Sequence, residues 1–249
     1  MRWALSRKSR EVLRRFMTSD VLLAFDFDGT LAPIVNDPDR ARMRFTTRRL
    51  LRRLAGAALC VVISGRSRAD VRNKLVGTGV RHVIGNHGAE PWERAAETAL
   101  QVARWNAALV RNLPVLPGLR IENKKMSVTL HYRQCRWRTR ARSEILRVAR
   151  LLPEVRLIGG KEAVSLVSKN APSKGTALRR ELSRWACDRA LYVGDDETDE
   201  DVFSLSGDPR LLTIRVGRKR NSAAQYFLRN QPEIDDLLRC LYNCELQQL

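Results

Sequence analysis

Val21–Phe25 is an unbroken apolar run that ends directly in two acids one residue apart, Asp26 and Asp28, followed by Gly29, Thr30 and Leu31. A run that is apolar at every position, without alternation, fits a strand covered on both faces, as in a parallel sheet with helices above and below. Carboxylates are tolerated only at the end of such a strand, where the chain leaves the interior. Ligands of open α/β sheets bind just outside the carboxyl ends of the strands, so Asp26 and Asp28 are expected at the mouth of a site. With the strand running on to residue 28, alternation aims both side chains to the same side. Clustered carboxylates repel each other. A hard divalent cation such as Mg²⁺, which takes few protein oxygens and retains waters, relieves that repulsion.

The remainder of the chain keeps an α/β rhythm. Strand-like runs at 21–28, 58–64, 81–85, 190–195 and 211–216 alternate with helix-like stretches. Thr46 is placed to cap a helix carrying Leu50, Leu51 and Leu54. Further helices are expected at 67–76, 91–113, 173–187, 198–205, 222–228 and 232–246. The rhythm breaks between Pro114 and Ser168. There the spacing predicts two strands joined by a polar turn within 115–133, a helix over 138–152, and two strands flanking Gly159 and Gly160. This is an α+β pattern. It divides the chain into a larger unit, 1–113 with 169–249, and a smaller inserted one, 114–168. The junctions at 114–118 and 168–172 are the expected hinges.

A second apolar run ends in acids at 190-ALYVGDDETDED-201. Two acid-tipped strands in one sheet allow Asp26, Asp28 and Asp195 to converge on one metal, with Asp196 as a further ligand candidate. Asp196 and Asp199 are also read as supporting acids that hold water or Lys174. The run 59-LCVVISGRS-67 ends in Ser64, Gly65 and Arg66, where a small hydroxyl at a helix start suits a phosphate oxygen. Lys174 falls in the first turn of a helix, against the helix dipole, and an anion beside it removes the conflict. Together these parts suit phosphoryl transfer. Asp26 is the nucleophile. Mg²⁺, Lys174, Ser64 and the backbone amides near Thr30 offset charge on the transferring group. Asp28 acts as general acid and then general base.

The motifs Asp26–Thr30, Ser64–Arg66, Lys174 and 194-GDDETDE-200 resemble, in order and type, those of the haloacid dehalogenase superfamily. The longer strings DFDGTLAPIV, GNHGAE, IENKKMSVTLHYR and SKGTAL are similar to the trehalose-6-phosphate phosphatase family. That resemblance implies a Rossmann-like core with a parallel sheet, helices on both faces and an inserted α/β cap of the C2 type. It also implies Mg²⁺-dependent hydrolysis of trehalose 6-phosphate. Glu122 and Lys124 match positions that hydrogen-bond the distal glucose, and His131 and Arg133 match the adjoining string. Thr30, Gly65, Arg66, His87 and Ser165 complete the expected substrate contacts, with a helix-start salt bridge as the alternative for Arg66. A trehalose-6-phosphate synthase is the partner the resemblance suggests. One departure concerns the sugar. The family's second cap glutamate falls on Ser165, which removes a carboxylate worth about 1–3 kcal/mol per hydrogen bond. Glu162, three residues away, is expected to face another direction. A different or modified sugar phosphate therefore stands as an alternative substrate.

The chain holds 46 Lys and Arg, 38 of them Arg, against 27 acids, a net charge of +19. A nucleic-acid surface would use such an excess. The Arg residues are instead scattered over most of the chain, as on solvated helix faces, and the catalytic set is complete. Nucleic-acid binding and a non-catalytic regulatory role are therefore the minor readings. Five Cys with no zinc spacing point to a reducing compartment. No apolar run approaches membrane-span length, and the basic N-terminus lacks a signal peptide's apolar centre. The expectation is cytoplasmic, with oligomeric state left open.

Overall fold

The computed structural model describes residues 1–160 and 162–247. In chain order the elements are β1 (Arg2–Trp3), α1 (Arg7–Phe16), β2 (Val21–Phe25), α2 (Phe45–Ala57), β3 (Cys60–Ile63), α3 (Arg68–Lys74), β4 (His82–Ile84) and α4 (Ala95–Asn112). There follow β5 (Arg120–Asn123), β6 (Ser127–His131), α5 (Arg138–Ala149), β7 (Val155–Gly160) and β8 (Ala163–Ser168). The chain closes with α6 (Lys174–Arg184), β9 (Arg189–Gly194), α7 (Glu200–Phe203), β10 (Leu211–Val216), β11 (Tyr226–Leu228) and α8 (Ile234–Leu246).

The larger sheet has the order β1-β11-β10-β9-β2-β3-β4, and each of its pairings is parallel. β2 lies near its centre, between β9 and β3, which explains the unbroken apolar run. Leu23 and Phe25 pack on one face with Leu13 of α1, Leu51 of α2 and Leu238 of α8. Leu22 and Ala24 pack on the other with Leu178 of α6 and Phe203 of α7. Because β2 and β9 are neighbours, with Phe25 opposite Val193, their acidic tips leave the sheet side by side.

The smaller sheet is antiparallel, β5-β6-β8-β7. Its core joins Val128, Leu130 and Leu166 to Ile145 of α5 and to Val102, Trp105 and Leu109 of α4. The expected boundary at residue 114 leaves α4 with the larger unit. Its buried stripe belongs to the smaller one, so we infer that the inserted unit begins ahead of Ala95. The Trp105 indole N–H donates to the Pro153 carbonyl at 3.1 Å and ties α4 to the turn before β7.

Three local expectations differ from the structure. β2 stops at Phe25 rather than 28, because Gly29 turns the chain at φ +81° and Gly29 N–H and Ala32 N–H close a tight loop on Ala32 O and Phe27 O. The stretch 222–228 carries β11 rather than a helix. Its burial alternates, Ala224, Tyr226 and Leu228 being buried, and Gln225 and Thr213 exchange side-chain bonds with each other's backbone N–H. Thr46 lies inside α2, whose cap position is Arg44 with no side-chain bond. Among the described residues no helix is long and apolar enough to cross a membrane.

Candidate active site

β2 delivers Asp26 into the interior, where its Oδ1 accepts from Lys174 Nζ at 2.8 Å. Lys174 opens α6, whose first turn is closed by reciprocal bonds between Ser173 and Thr176. A cation at that end opposes the helix dipole, and two carboxylates offset the conflict. Lys174 Nζ also donates to Asp199 Oδ1 at 2.7 Å, and the side chain is 2% exposed. The Tyr192 hydroxyl donates to the same Asp199 oxygen at 2.6 Å. Asp199 Oδ2 accepts the N–H groups of Asp195 and Asp196, both at 2.8 Å. Asp199 is therefore the post around which the acidic loop after β9 is wound. Gly194 leaves room for it, since a Cβ there would stand 2.3 Å from Asp199 Cγ. Arg215 on β10 fixes the loop from the far side through the Asp195 and Asp196 carbonyls and the Glu200 carboxylate.

Burial raises the Asp26 carboxyl well above its usual range, against the pull of Lys174 and with the push of Asp199 and Asp195. Burial would strip the proton from Lys174, but Asp199 and Asp26 outweigh it and hold the ammonium charged. Burial likewise opposes Asp199, and Lys174 and Tyr192 overcome it, so that carboxyl stays low.

Asp26, Asp195 and Asp199 each bring one oxygen within 4.8 Å of the others. An all-carboxylate donor set suits a hard divalent cation. Both oxygens of Asp199 already take two donors each, so Asp26 and Asp195 are the pair with which a cation would fit. Asp28 and Asp196, expected as ligands, lie outside this cluster. The turn at Gly29 sends Asp28 toward the cavity, and Asp196 Oδ1 accepts from Glu197 N–H at 2.7 Å. Gly29 is also what lets Asp195 approach, because a Cβ there would lie 2.1 Å from Asp195 Oδ2. Gly29→Ala is expected to cost about 1–3 kcal/mol through left-handed strain and to weaken divalent-ion affinity about tenfold or more by displacing Asp195. Thermal melts with and without added metal read both effects.

Asp28 is held by Arg66, with Nε on Oδ2 at 2.6 Å and Nη2 on Oδ1 at 2.8 Å. Arg66 Nη1 reaches Asp70 Oδ2 at 2.7 Å. The salt-bridge alternative for Arg66 is thus the arrangement present, with Asp28 as its main partner. Ser64 is buried at the end of β3, and its Oγ accepts from Arg66 N–H at 3.2 Å. Thr30 is fully buried; its carbonyl accepts from Gln231 Nε2 at 2.8 Å. Burial, with Lys174, Lys124 and Arg156 nearby, pushes His87 well below the usual imidazole range and keeps it neutral.

One cavity of about 420 Å³ lies between the two sheets, within the size range of small-molecule sites. From the larger unit it is lined by Asp28, Gly65, Arg66, His87, Asp195 and Asp196. The smaller unit contributes Glu122, Lys124, His131, Arg133, Glu162 and Ser165. Asp26, Ser64, Thr30 and Lys174 are not in its wall. Burial opposes ionisation of Glu122, but the His131 bond at 2.8 Å and Lys124 prevail and bring it down to about 2. Glu122 is therefore an ionised acceptor at any working pH. Lys124 Nζ donates to Gly65 O at 3.3 Å and Arg133 Nη1 to Val35 O at 2.9 Å, so both span the two units. Ser165 Oγ is paired with Thr129 Oγ1 at 2.9 Å.

Glu162 corrects an expectation. It faces the cavity, turned there by a left-handed φ of +59° and held by Arg133 and Arg138. Its position after a strand turn gave no periodic signal of direction. Tyr192 and Arg215 were also not singled out as site residues. Alternation along their strands gives the side each faces, but not that both meet one loop.

The geometry can be set beside known proteins. The family model described as Trehalose-phosphatase matches residues 24–231. "Probable trehalose-phosphate phosphatase 9" of Oryza sativa subsp. japonica is 31% identical over 264 residues, covering 90% of this chain and 70% of that protein. "Trehalose-phosphate phosphatase" of Mycobacterium ulcerans is 34% identical over 207 residues, 77% of this chain and 53% of its own length. The solved C-terminal domain of Candida albicans trehalose-6-phosphate phosphatase shares the fold, with a TM-score of 0.80 over 94% of this chain and 96% of that one at 24% identity. The match takes in the acidic tips of both strands, the lysine between them and the whole inserted sheet, and the chain belongs to the trehalose-phosphatase family.

Proposed function

We propose that this protein is a phosphoric monoester hydrolase that converts trehalose 6-phosphate to trehalose and phosphate, with Mg²⁺ as cofactor. The observation that carries the reading is the shared cavity. Acids of the larger unit and the sugar-type hydrogen-bonding groups Glu122, Lys124 and Arg133 of the smaller one open onto the same space.

In this reading Asp26 is the nucleophile. One of its carboxylate oxygens attacks phosphorus, the bond from phosphorus to the sugar oxygen breaks, and Asp28 gives that oxygen its proton. Asp28 then takes a proton from the water that attacks the aspartyl-phosphate, releasing phosphate and restoring Asp26. For either transfer Asp28 has to leave Arg66. Arrival of an anionic phosphate supplies a competing partner for that guanidinium. Lys174 keeps Asp26 oriented and offsets negative charge as the phosphoryl group transfers. Bound to Asp26 and Asp195, Mg²⁺ would supply further charge compensation at the phosphoryl oxygens. Ser64, at a strand end beside Asp26's strand, is the hydroxyl that would take a phosphate oxygen in this reading. Glu122, ionised, accepts from sugar hydroxyls, and Lys124 and Arg133 donate to them. Glu162 offers a second carboxylate on the side where Ser165 lacks one. Closure of the smaller unit over the larger would exclude bulk water from the phosphoenzyme.

The test is phosphate release from trehalose 6-phosphate, sucrose 6-phosphate and glucose 6-phosphate, with Mg²⁺ and then with a chelator. Trehalose 6-phosphate is expected to lead in kcat/KM by about tenfold or more, and chelation to remove turnover. Equal rates on the three sugars would end the substrate assignment.

A further inference from the structure

α8 carries Cys240 and Cys244 one helical turn apart, and α1 packs beside them. The two side chains lie on one face of the helix, close enough for each thiol to shift the other's proton affinity. They open on a cavity of about 380 Å³ between α8 and α1, and Arg10, Arg14 and Arg239 also line it, with Asp236 as its one acid among the described residues. Arg14 is paired with Glu11 and Arg239 with Asp236. Arg10 spends its Nε on the Leu5 carbonyl and has no acidic partner among the described residues. Cys240 is partly exposed and Cys244 is buried. One reachable thiol thus stands in a basic pocket, with a second thiol behind it.

We propose that Cys240 and Cys244 form a hydroperoxide-reactive dithiol, with Cys240 the attacking thiol and Cys244 the resolving one. The neighbouring Cys244 S–H, with Arg10 and Arg14 adding to it against burial, brings the Cys240 thiol down to about 7. Cys244 is pushed up in turn by Cys240 and by burial and keeps its proton. A thiol with a pKa near ambient pH combines abundant thiolate with high intrinsic nucleophilicity. In the first step the Cys240 thiolate attacks the terminal peroxide oxygen. The O–O bond breaks, Cys240 becomes a sulfenic acid, and the departing alkoxide or hydroxide takes a proton from water. In the second, Cys244 sulfur attacks the sulfenic sulfur. The S–S bond forms, the S–O bond breaks, and the hydroxide leaves with the Cys244 proton as water. Sulfur loses two electrons and the peroxide gains them.

Helix geometry permits the product. Residues four apart have Cα atoms about 6.2 Å apart, inside the roughly 4.4–6.8 Å range of disulfides. Their Cβ atoms, about 5–6 Å apart, have to close by about 1–2 Å. Cys244 lies two residues before the end of α8 at Leu246, in the last turn, where opening is least costly. Cys187, half-exposed and with its thiol pushed up by burial and by Asp20 and Asp188, serves as an internal control.

The experiment uses the reduced full chain. At pH 7, Cys240 is expected to react with iodoacetamide about fivefold faster than Cys187, or more: a pKa near 7 makes thiolate about 50-fold more abundant than in a thiol of pKa about 9, and lower intrinsic nucleophilicity removes about tenfold. After treatment with equimolar hydrogen peroxide, trypsin cuts behind Arg239 and leaves both thiols in the peptide 240–249. That peptide is expected to lose two hydrogens and to regain them with dithiothreitol. Cys244→Ser should stop the loss and leave a dimedone-reactive sulfenic acid on Cys240, and Cys240→Ser should show neither. Equal alkylation of Cys240 and Cys187, or a 240–249 peptide that keeps two alkylatable thiols after peroxide, overturns the proposal without need of any variant.

Discussion

Asp26→Asn is expected to lower kcat by about 10,000-fold or more, the scale of losing a covalent nucleophile, while the metal-free protein melts no lower than the parent. The two outcomes have one cause. Asp26 is buried beside Asp195 and Asp199, and it shares the Lys174 ammonium with Asp199. Its carboxyl sits well above the usual range, so the folded state binds its proton more tightly than the unfolded chain does. Stability from this group is present below the unfolded value of about 3.9 and is lost as pH rises through the folded one. Ionising the buried carboxyl is therefore a burden, which a bound divalent cation would relieve in the parent. Asn keeps an oxygen for Lys174 and sheds the charge. Melting curves from pH 4 to 8, with and without Mg²⁺, read this directly. A large loss of stability in the variant without metal would show that Asp26 is a structural anchor instead.

Lys174→Met is expected to be the most damaging single change, costing about 3–5 kcal/mol and lowering Tm by about 10 °C, with turnover below detection. The ammonium is 2% exposed and is the partner of both Asp26 and Asp199. Removing it leaves buried carboxylates facing one another without a counter-charge. Its own pKa is raised, so its stabilising share is complete below the unfolded value of about 10.4 and flat through neutral pH. The defect should accordingly shrink only in acid, as the stranded carboxylates take up protons. Adding Asp26→Asn to Lys174→Met should return part of the lost stability but none of the activity. Denaturant titration of the parent, both single variants and the double variant measures the coupling. Independent, additive losses would refute the shared cluster.

The parallel sheet was legible because burial on both faces leaves a plain mark: Val21–Phe25 has no polar position to spare. The inserted sheet was legible from the shift in rhythm after residue 114. The helix before it, α4, is legible as a helix but not as a part of either unit. Its apolar stripe of Val102, Trp105 and Leu109 states that a face is buried and is silent on which sheet covers it. β11 was read as a helix because a short run with apolar residues admits either period. What settled it was the open edge of β10.

At the site, residue chemistry announced Asp26, Lys174 and Asp195. A strand that ends in acid, and a lysine set against a helix dipole, are each unfavourable alone and consistent only together. The direction of each side chain needed the folded chain. The left-handed turn at Gly29 parts Asp28 from Asp26 and hands it to Arg66, and four donors converging from Lys174, Tyr192 and the loop backbone make Asp199 the organiser. Glu162 reaches the cavity through a backbone turn that no periodicity encodes. Local pattern reports which backbone a segment adopts and which of its faces avoids water. Which groups meet depends on contacts between residues far apart in the chain, such as Lys174 with Asp26, and only tertiary packing sets those distances.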